Sequence, residues 1–266
     1  MNYHQSVYIH PEAKIGSNVT IHPFTYIAKD VVIGDNCELG PNASILDGAR
    51  IGKNCKIFPG AVIAAAPQDL KYNGEQTTVE IGDFTTIREF VTLNRGTNFS
   101  QKTVVGSNCL IMAYSHIAHD CVIGDHVVMC NCANLAGHVV IEDYVTIEGI
   151  VAIQQFVRIG SHSFVAGGSM VRKNVPPYIK VAREPLSFIG VNKIGLQRRG
   201  FSLETIRQIE DIYKTLFVKG LNVSNAIKQI QTDVEDCQVK EYILNFIKTS
   251  NKGIVKGYTK NGNSTE

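Results

Sequence analysis

The chain has 266 residues, enough for one large domain and a smaller one, with 26 basic and 24 acidic side chains. That near-balance excludes a whole-molecule polyanion binder, and the lack of any run of 18 apolar residues excludes a membrane-spanning helix. Met1 to His10 is polar, without an apolar signal segment, and the seven cysteines contain no CxxC pair, so a cytoplasmic protein with reduced thiols is expected.

From Ile9 to Val171 an aliphatic residue returns at almost every sixth position. Of the 28 positions in phase, 25 are aliphatic, the exceptions being Asp69, Glu75 and Phe99. A second register two residues earlier is small or β-branched: Val7, Ala13, Val19, Thr25, Val31, Cys37. This pairing is the mark of a hexapeptide parallel β-helix, in which three hexads close a triangular coil of about 18 residues. Cys37, Cys55, Cys109 and Cys121 fall in the small inward register and act as small hydrophobes. The prism is predicted over 1–176, ending at Val175-Pro176-Pro177 because consecutive prolines remove strand donors.

Two polar stretches break the pattern, 67–78 (PQDLKYNGEQTT) and 97–102 (TNFSQK), and the phase resumes after each. Such insertions must loop outward from a corner, where function concentrates on a rigid scaffold. Residues 177–200 read as a linker. A helical C-terminal domain over 201–250 follows, with a first helix capped by Ser202 and closed by Gly220. A second helix is expected after Ser224, a third carries Tyr242, Ile243, Phe246 and Ile247, and 251–266 reads as a loose tail. These helices are expected to cover the open last coil. Flat prism faces with little helix cover suggest a homotrimer, closed by cyclic symmetry.

Stacking turns the repeat into a map of the surface. Position n+18 lies one strand spacing, about 4.8 Å, above position n. His119 is therefore topped by Gly137 and then Gln155, and Asp120 by His138 and then Phe156. A histidine beside a carboxylate suits a general base, because the acid orients the ring and stabilises its charged form. A glycine above it can offer its N–H to a developing oxyanion. No GxSxG nucleophile motif is present, so direct attack by a substrate group activated by His119 is expected. His126 and His162 read as solvent-facing turn residues. Between Arg158 and Arg199 eight basic residues meet one acid, Glu184, a patch suited to phosphates or an acidic protein.

The chain resembles the bacterial UDP-N-acetylglucosamine O-acyltransferases that begin lipid A synthesis. The resemblance rests on PQDLKYNGE (67–75), IGDFTTIRE (81–89), NRGT (94–97), HIAHDC (116–121), LAGHV (135–139), NVPPY (174–178), GVN (190–192) and RRGFS (198–202). It implies an all-β, hexapeptide-repeat left-handed parallel β-helix with a C-terminal α-helical domain. The implied reaction moves a 3-hydroxyacyl chain from acyl carrier protein to the sugar 3-hydroxyl, with no metal and no other cofactor. His119 would be the base, Asp120 its partner and Gly137 the oxyanion donor. Substrate contacts would come from Asp69, Lys71, Asn94, His116, His138, Gln154, Gln155, Asn192, Arg198 and Arg199, with sites shared between subunits. Gly167 matches the position that limits the acyl groove, and a glycine there leaves room for a long chain. The family often has His where Asn94 and Gln154 stand, and an acid where Ile194 stands. The alternative is a zinc-dependent hexapeptide prism of carbonic-anhydrase type, which uses three histidines from two subunits, with His116, His119 and His138 able to supply them.

Overall fold

A computed structural model describes residues 2–257. Short strands, mostly of two residues, recur in the hexad phase from Tyr8–Ile9 to Met170–Val171 and stack in parallel as the three faces of a prism, whose sheets, with the strands before and after this run, hold 12, 9 and 8 strands. The ordinary register is one coil, His116 opposite Asn134 and Ile117 opposite Leu135. Both sequence registers point inward. Ile117, Leu135 and Ile153 are buried from the large one, and Cys121, Val139 and Val157 from the small one. Each fully buried aliphatic side chain contributes about 1.5–3 kcal/mol, which is how strands of two residues hold together. All seven cysteines are free, and Cys37, Cys55, Cys109 and Cys121 are buried as the register requires.

At most corners one residue adopts the left-handed backbone region. Asn18, Asn36, Asn54, Asp120, His138 and Phe156 are examples, with φ between 55° and 63°. Asn and Asp tolerate this conformation better than most residues. At Asp120 and His138 the strained corner carries candidate site residues, a usual place for such strain.

Both insertions leave the prism from one edge, between the sheet that holds Val62–Ala65 and the one that holds Thr78–Ile81. Across the first, Ile63 pairs with Leu93, and across the second Leu93 pairs with Ile117. These separations exceed the ordinary coil by 12 and 6 residues, which is why the phase survives both. The same edge later carries His119, Gly137 and Gln155.

Residues 177–200, expected as a linker, are structured. Ile179–Ala182 continues the 12-stranded sheet, Ser187–Val191 turns back antiparallel to it, and helix α1 spans Lys193–Arg198. The prolines end the hexad phase but not the sheet. Helices α2 (Leu203–Phe217), α3 (Val223–Asp233) and α4 (Gln238–Lys248) follow. Ser202 caps α2 by accepting the Thr205 N–H, as expected. The cap of α3 is Asn222 rather than Ser224, which sets Ala226 and Ile230 toward the core. The helices do cover the last turns: Tyr213 is fully buried and donates its hydroxyl to the Pro177 carbonyl at 2.7 Å. The first part of the expected loose tail is packed, since Ile254 and Val255 are buried and Lys256–Gly257 pairs with Ser187–Phe188. Residues 258–266 lie outside the described residues. No helix among the described residues is long and apolar enough to cross a membrane.

Candidate active site

The coil geometry makes His119 and Asp120 neighbours with Gly137 directly above. His138 N–H donates to the His119 carbonyl at 3.1 Å, and Phe156 N–H to that of Gly137 at 3.3 Å. A Cβ on Gly137 would fall 2.6 Å from His119 Cε1 and 2.7 Å from Nε2. Only a glycine lets the imidazole lie across this corner, and its Nε2 is thereby held beside the Gly137 backbone. The Gly137 N–H has no hydrogen-bond partner among the described residues. A buried backbone amide without a partner is rare and marks a place for an outside acceptor.

Asp120 has a fully buried side chain. Burial alone would raise its pKa, but hydrogen bonds from Ser100, His119 and Thr97 outweigh it and hold the carboxyl well below the usual range. Thr97 gives its N–H at 3.0 Å and its hydroxyl at 2.7 Å, and Ser100 gives both its N–H and its hydroxyl. The Asp120 N–H in turn donates to Thr103 Oγ1 at 2.9 Å. An ionised carboxylate only accepts, so the 2.7 Å contact to His119 fixes the proton on Nδ1 and leaves the Nε2 lone pair free as a base.

The second insertion is thus the cradle of the carboxylate. Thr97, Ser100 and Thr103 were not singled out in the sequence. The signal was present, since a polar insertion leaves the edge one coil below Asp120, but the simple spacing of 18 fails across it.

His138 packs face to face on Phe156 at 4.4 Å and edge-on against Phe99 and His119. Burial lowers its pKa against the opposing pull of the Asp120 carboxylate, so it is neutral at pH 7. Its buried Nδ1 has no hydrogen bond among the described residues. His116 is also lowered, by burial and by neighbouring His119, and its Nδ1 lies 2.7 Å from the Thr92 hydroxyl. Asn94 is buried with Nδ2 on the Ala66 carbonyl, while its Oδ1 has no partner among the described residues.

The first insertion rises over the same edge. Asn98 Nδ2 donates to Glu75 Oε1 at 2.7 Å and ties the two insertions together. Asp69 accepts the Lys71 N–H and lies close enough to His138 to favour its protonated form. Lys71, Gln154 and Gln155 are exposed on this side, and Lys252 reaches the Gln155 carbonyl at 2.7 Å.

One chain does not bring the remaining candidates to His119. Asn192 donates to the His162 carbonyl, and Arg199 lies over Tyr144 at 5.1 Å, both on the next edge, with Arg198 exposed beside it. Gly167 sits on the third edge, where its N–H meets Glu148. A Cβ there would approach the Gly149 carbonyl at 3.3 Å. His162, expected in solvent, is stacked between Tyr144 and Tyr178, and burial pushes its pKa down to about 4. Its cover comes from Tyr178 and Phe201, beyond the reach of hexad spacing. The basic patch is smaller than its sequence, because Arg158, Arg172 and Lys193 are paired with Glu142, Glu184 and Glu210.

Within one chain, the described residues do not gather His116, His119 and His138, the set considered for zinc. Among the described residues the group able to hold a metal is His119, Asp120 and His138, with donor atoms within 4.8 Å of one another. Both Asp120 oxygens are already occupied by hydroxyl and amide donors, an arrangement that fits an acid orienting a base better than a metal ligand.

Comparison with known proteins places the chain among close relatives. Residues 174–255 match a family model described as UDP-N-acetylglucosamine O-acyltransferase, domain 2. Residues 12–47, 30–65 and 102–137 match the bacterial transferase hexapeptide model. A curated acyl-acyl-carrier-protein–UDP-N-acetylglucosamine O-acyltransferase from Aliivibrio fischeri is 47% identical over 260 residues, covering 95% of this chain and 99% of its own. The relative of the same name from Halorhodospira halophila is 42% identical over 254 residues, covering 95% and 98%. Among solved structures, a UDP-N-acetylglucosamine acyltransferase from Bacteroides fragilis superposes with a TM-score of 0.93 at 46% identity, over 95% of this chain and 99% of that one.

Proposed function

Because the chain belongs to the acyl-acyl-carrier-protein–UDP-N-acetylglucosamine O-acyltransferase family, we propose residue roles for that reaction on this scaffold. The protein is an acyltransferase that takes its acyl group from acyl carrier protein and delivers it to UDP-N-acetylglucosamine, in lipid A synthesis. The acyl group is read as a 3-hydroxyacyl chain and the acceptor as the sugar 3-hydroxyl. His119 Nε2 takes the hydroxyl proton as the oxygen attacks the thioester carbonyl. Asp120 holds Nδ1–H and stabilises the imidazolium that forms. The Gly137 N–H stabilises the tetrahedral oxyanion. When the intermediate collapses, the carrier thiol leaves with the proton that His119 had taken. The observation that carries this reading is the imidazole lying across Gly137, which sets the base nitrogen and an unclaimed amide side by side.

Asp69, Lys71, Asn94, His116, His138, Gln154 and Gln155 are assigned to the sugar nucleotide, and Asn192, Arg198 and Arg199 to the diphosphate and the acidic carrier. Phosphates suit paired arginines. The chain is read as cytoplasmic, where its buried thiols stay reduced. The primary test supplies 3-hydroxyacyl carrier protein and UDP-N-acetylglucosamine and follows acylated sugar nucleotide by mass spectrometry. Formation of that product is expected, and its absence overturns the reading.

Because His119, Asn192 and Gly167 occupy three different edges of one prism, the site is proposed to form between subunits of a homotrimer. Exposed apolar side chains such as Val122, Ile150 and Met170 supply surface for that contact. Co-expression of His119→Ala with an Arg198→Ala/Arg199→Ala double variant tests the sharing. Each parent alone is expected to be impaired, whereas random mixed trimers should regain about a quarter of the wild-type rate, since some interfaces then carry intact residues from both sides. Mixed trimers as inactive as their parents would show that each chain builds its site alone.

A further inference from the structure

The two ends of the peptide bond between Ala136 and Gly137 are held differently. Its carbonyl accepts a hydrogen bond from the Cys121 thiol at 3.2 Å, on the interior side, where Cys121 is fully buried. Its N–H has no partner among the described residues. A trans peptide sets carbonyl and N–H on opposite sides. A donor that anchors the carbonyl inward therefore turns the N–H outward.

The same device recurs at other corners, and there the destination of the N–H is visible. The Cys37 thiol holds the Gly52 carbonyl at 3.1 Å, and Lys53 N–H of that peptide donates to Asp83 at 2.7 Å. Thr85 holds the Gly106 carbonyl at 2.7 Å, and Ser107 N–H donates to Asp125 at 2.7 Å. Cys109 holds the Gly124 carbonyl at 3.1 Å, and Asp125 N–H donates to Asp143 at 2.8 Å. Thr77 holds the Gly96 carbonyl, and Thr97 N–H donates to Asp120 at 3.0 Å. In these four cases an inward thiol or hydroxyl anchors the carbonyl and the amide serves a carboxylate outside, whereas above Cys55, which holds the Gly82 carbonyl at 3.2 Å, the Asp83 N–H has no partner among the described residues. At Gly137 the residue one coil on is Gln155, not an acid. That amide is left open, and unlike Asp83 N–H it stands beside the His119 imidazole, where an anion formed by the substrate can meet it.

We propose that Cys121 is a positioning residue for acyl transfer, which orients the Gly137 N–H toward the thioester oxyanion by anchoring the Ala136 carbonyl. The inference rests on the oxyanion role given to Gly137 above. Burial pushes the Cys121 thiol up to about 12, so it keeps its proton and remains a donor at neutral pH. Alanine and valine both occur in this inward register, at Ala133 and Val139, so either fits the space without supplying a donor.

The test compares Cys121→Ala, Cys121→Val and Cys121→Ser in the acyl-transfer assay, with Cys109→Ala as a control that removes the same bond from a corner outside the site. Cys121→Ala and Cys121→Val should lose about tenfold in kcat, a fraction of the effect of deleting an oxyanion donor, with KM for the sugar nucleotide within about twofold. Cys121→Ser, which restores a donor, should recover to within about threefold of wild type. Cys109→Ala should keep its kcat while losing thermal stability to the same degree as Cys121→Ala. Wild-type kcat in both donor-free variants, a serine variant as slow as alanine, or an equal kcat loss in Cys109→Ala would each overturn the inference. A wild-type protein without acyl transfer would overturn the function reading and this inference with it. Unaffected Cys121 variants beside an active wild type would overturn the inference alone.

Discussion

His119→Ala is expected to lower kcat on the order of 10³-fold, the range of a positioned general base, while the protein stays folded. The ring stands at the edge of the prism, outside the stacked aliphatics, so its removal loses contacts with His138 and Gly137 but leaves the hexad core intact. No second group can replace it. His138 and His116 are neutral at pH 7, yet only His119 has the Asp120 carboxylate on one nitrogen and the Gly137 backbone beside the other. Steady-state rates, with circular dichroism to verify the fold, decide the matter. Full activity in the variant would remove His119 from the mechanism.

Asp120→Asn should act on both rate and stability. An amide places two donors where Thr97, Ser100 and His119 all donate, so at least one buried donor loses its acceptor. A loss of about 1–3 kcal/mol is expected from such an orphaned group. The rate should fall on the order of 10²- to 10⁴-fold, because the neutral side chain neither fixes the His119 tautomer nor stabilises its charged form. The pH dependence has a definite sign. The folded carboxyl lies below its unfolded value of about 4, so its stabilising contribution is complete above that pH and is lost as pH falls through the folded value. Wild type and variant should therefore differ most in unfolding free energy above pH 4, and the gap should narrow in stronger acid. A gap that widened toward low pH would mean that the carboxyl is not held ionised in the fold.

The prism and the core of its site were legible because one period governs both. Inward aliphatics at every sixth position specify strands, and stacking 18 residues apart brings His119 under Gly137 without further information. What escaped depends on contacts that leave that period. Thr97 and Ser100 hold Asp120 across a gap lengthened by the insertion. The strands Ile179–Ala182 and Ser187–Val191 follow two prolines, whose local signal is a stop, although the exposed last coil still offers the sheet a place to continue. Helix α3 starts earlier than Ser224 suggests, because the Asn222 side chain accepts the Asn225 N–H and the earlier start goes with burial of Ala226 and Ile230. Arg199 and Gly167 lie on other edges, and nothing in a single chain's spacing joins them to the base.

The two excursions from the prism add 12 and 6 residues, so the scaffold counts in sixes. Both loop outward from a corner, and the strands that follow re-pair with the coil below and keep their own inward alternation, but only the loop over 67–78 is free of the residues that hold Asp120. The loop over 67–78 is thus an exchangeable part on a fixed thread. With the sugar-nucleotide role proposed for Asp69 and Lys71, acceptor preference would be rewritten there while the base, its acid and the amide beside them stay where the screw of the prism puts them.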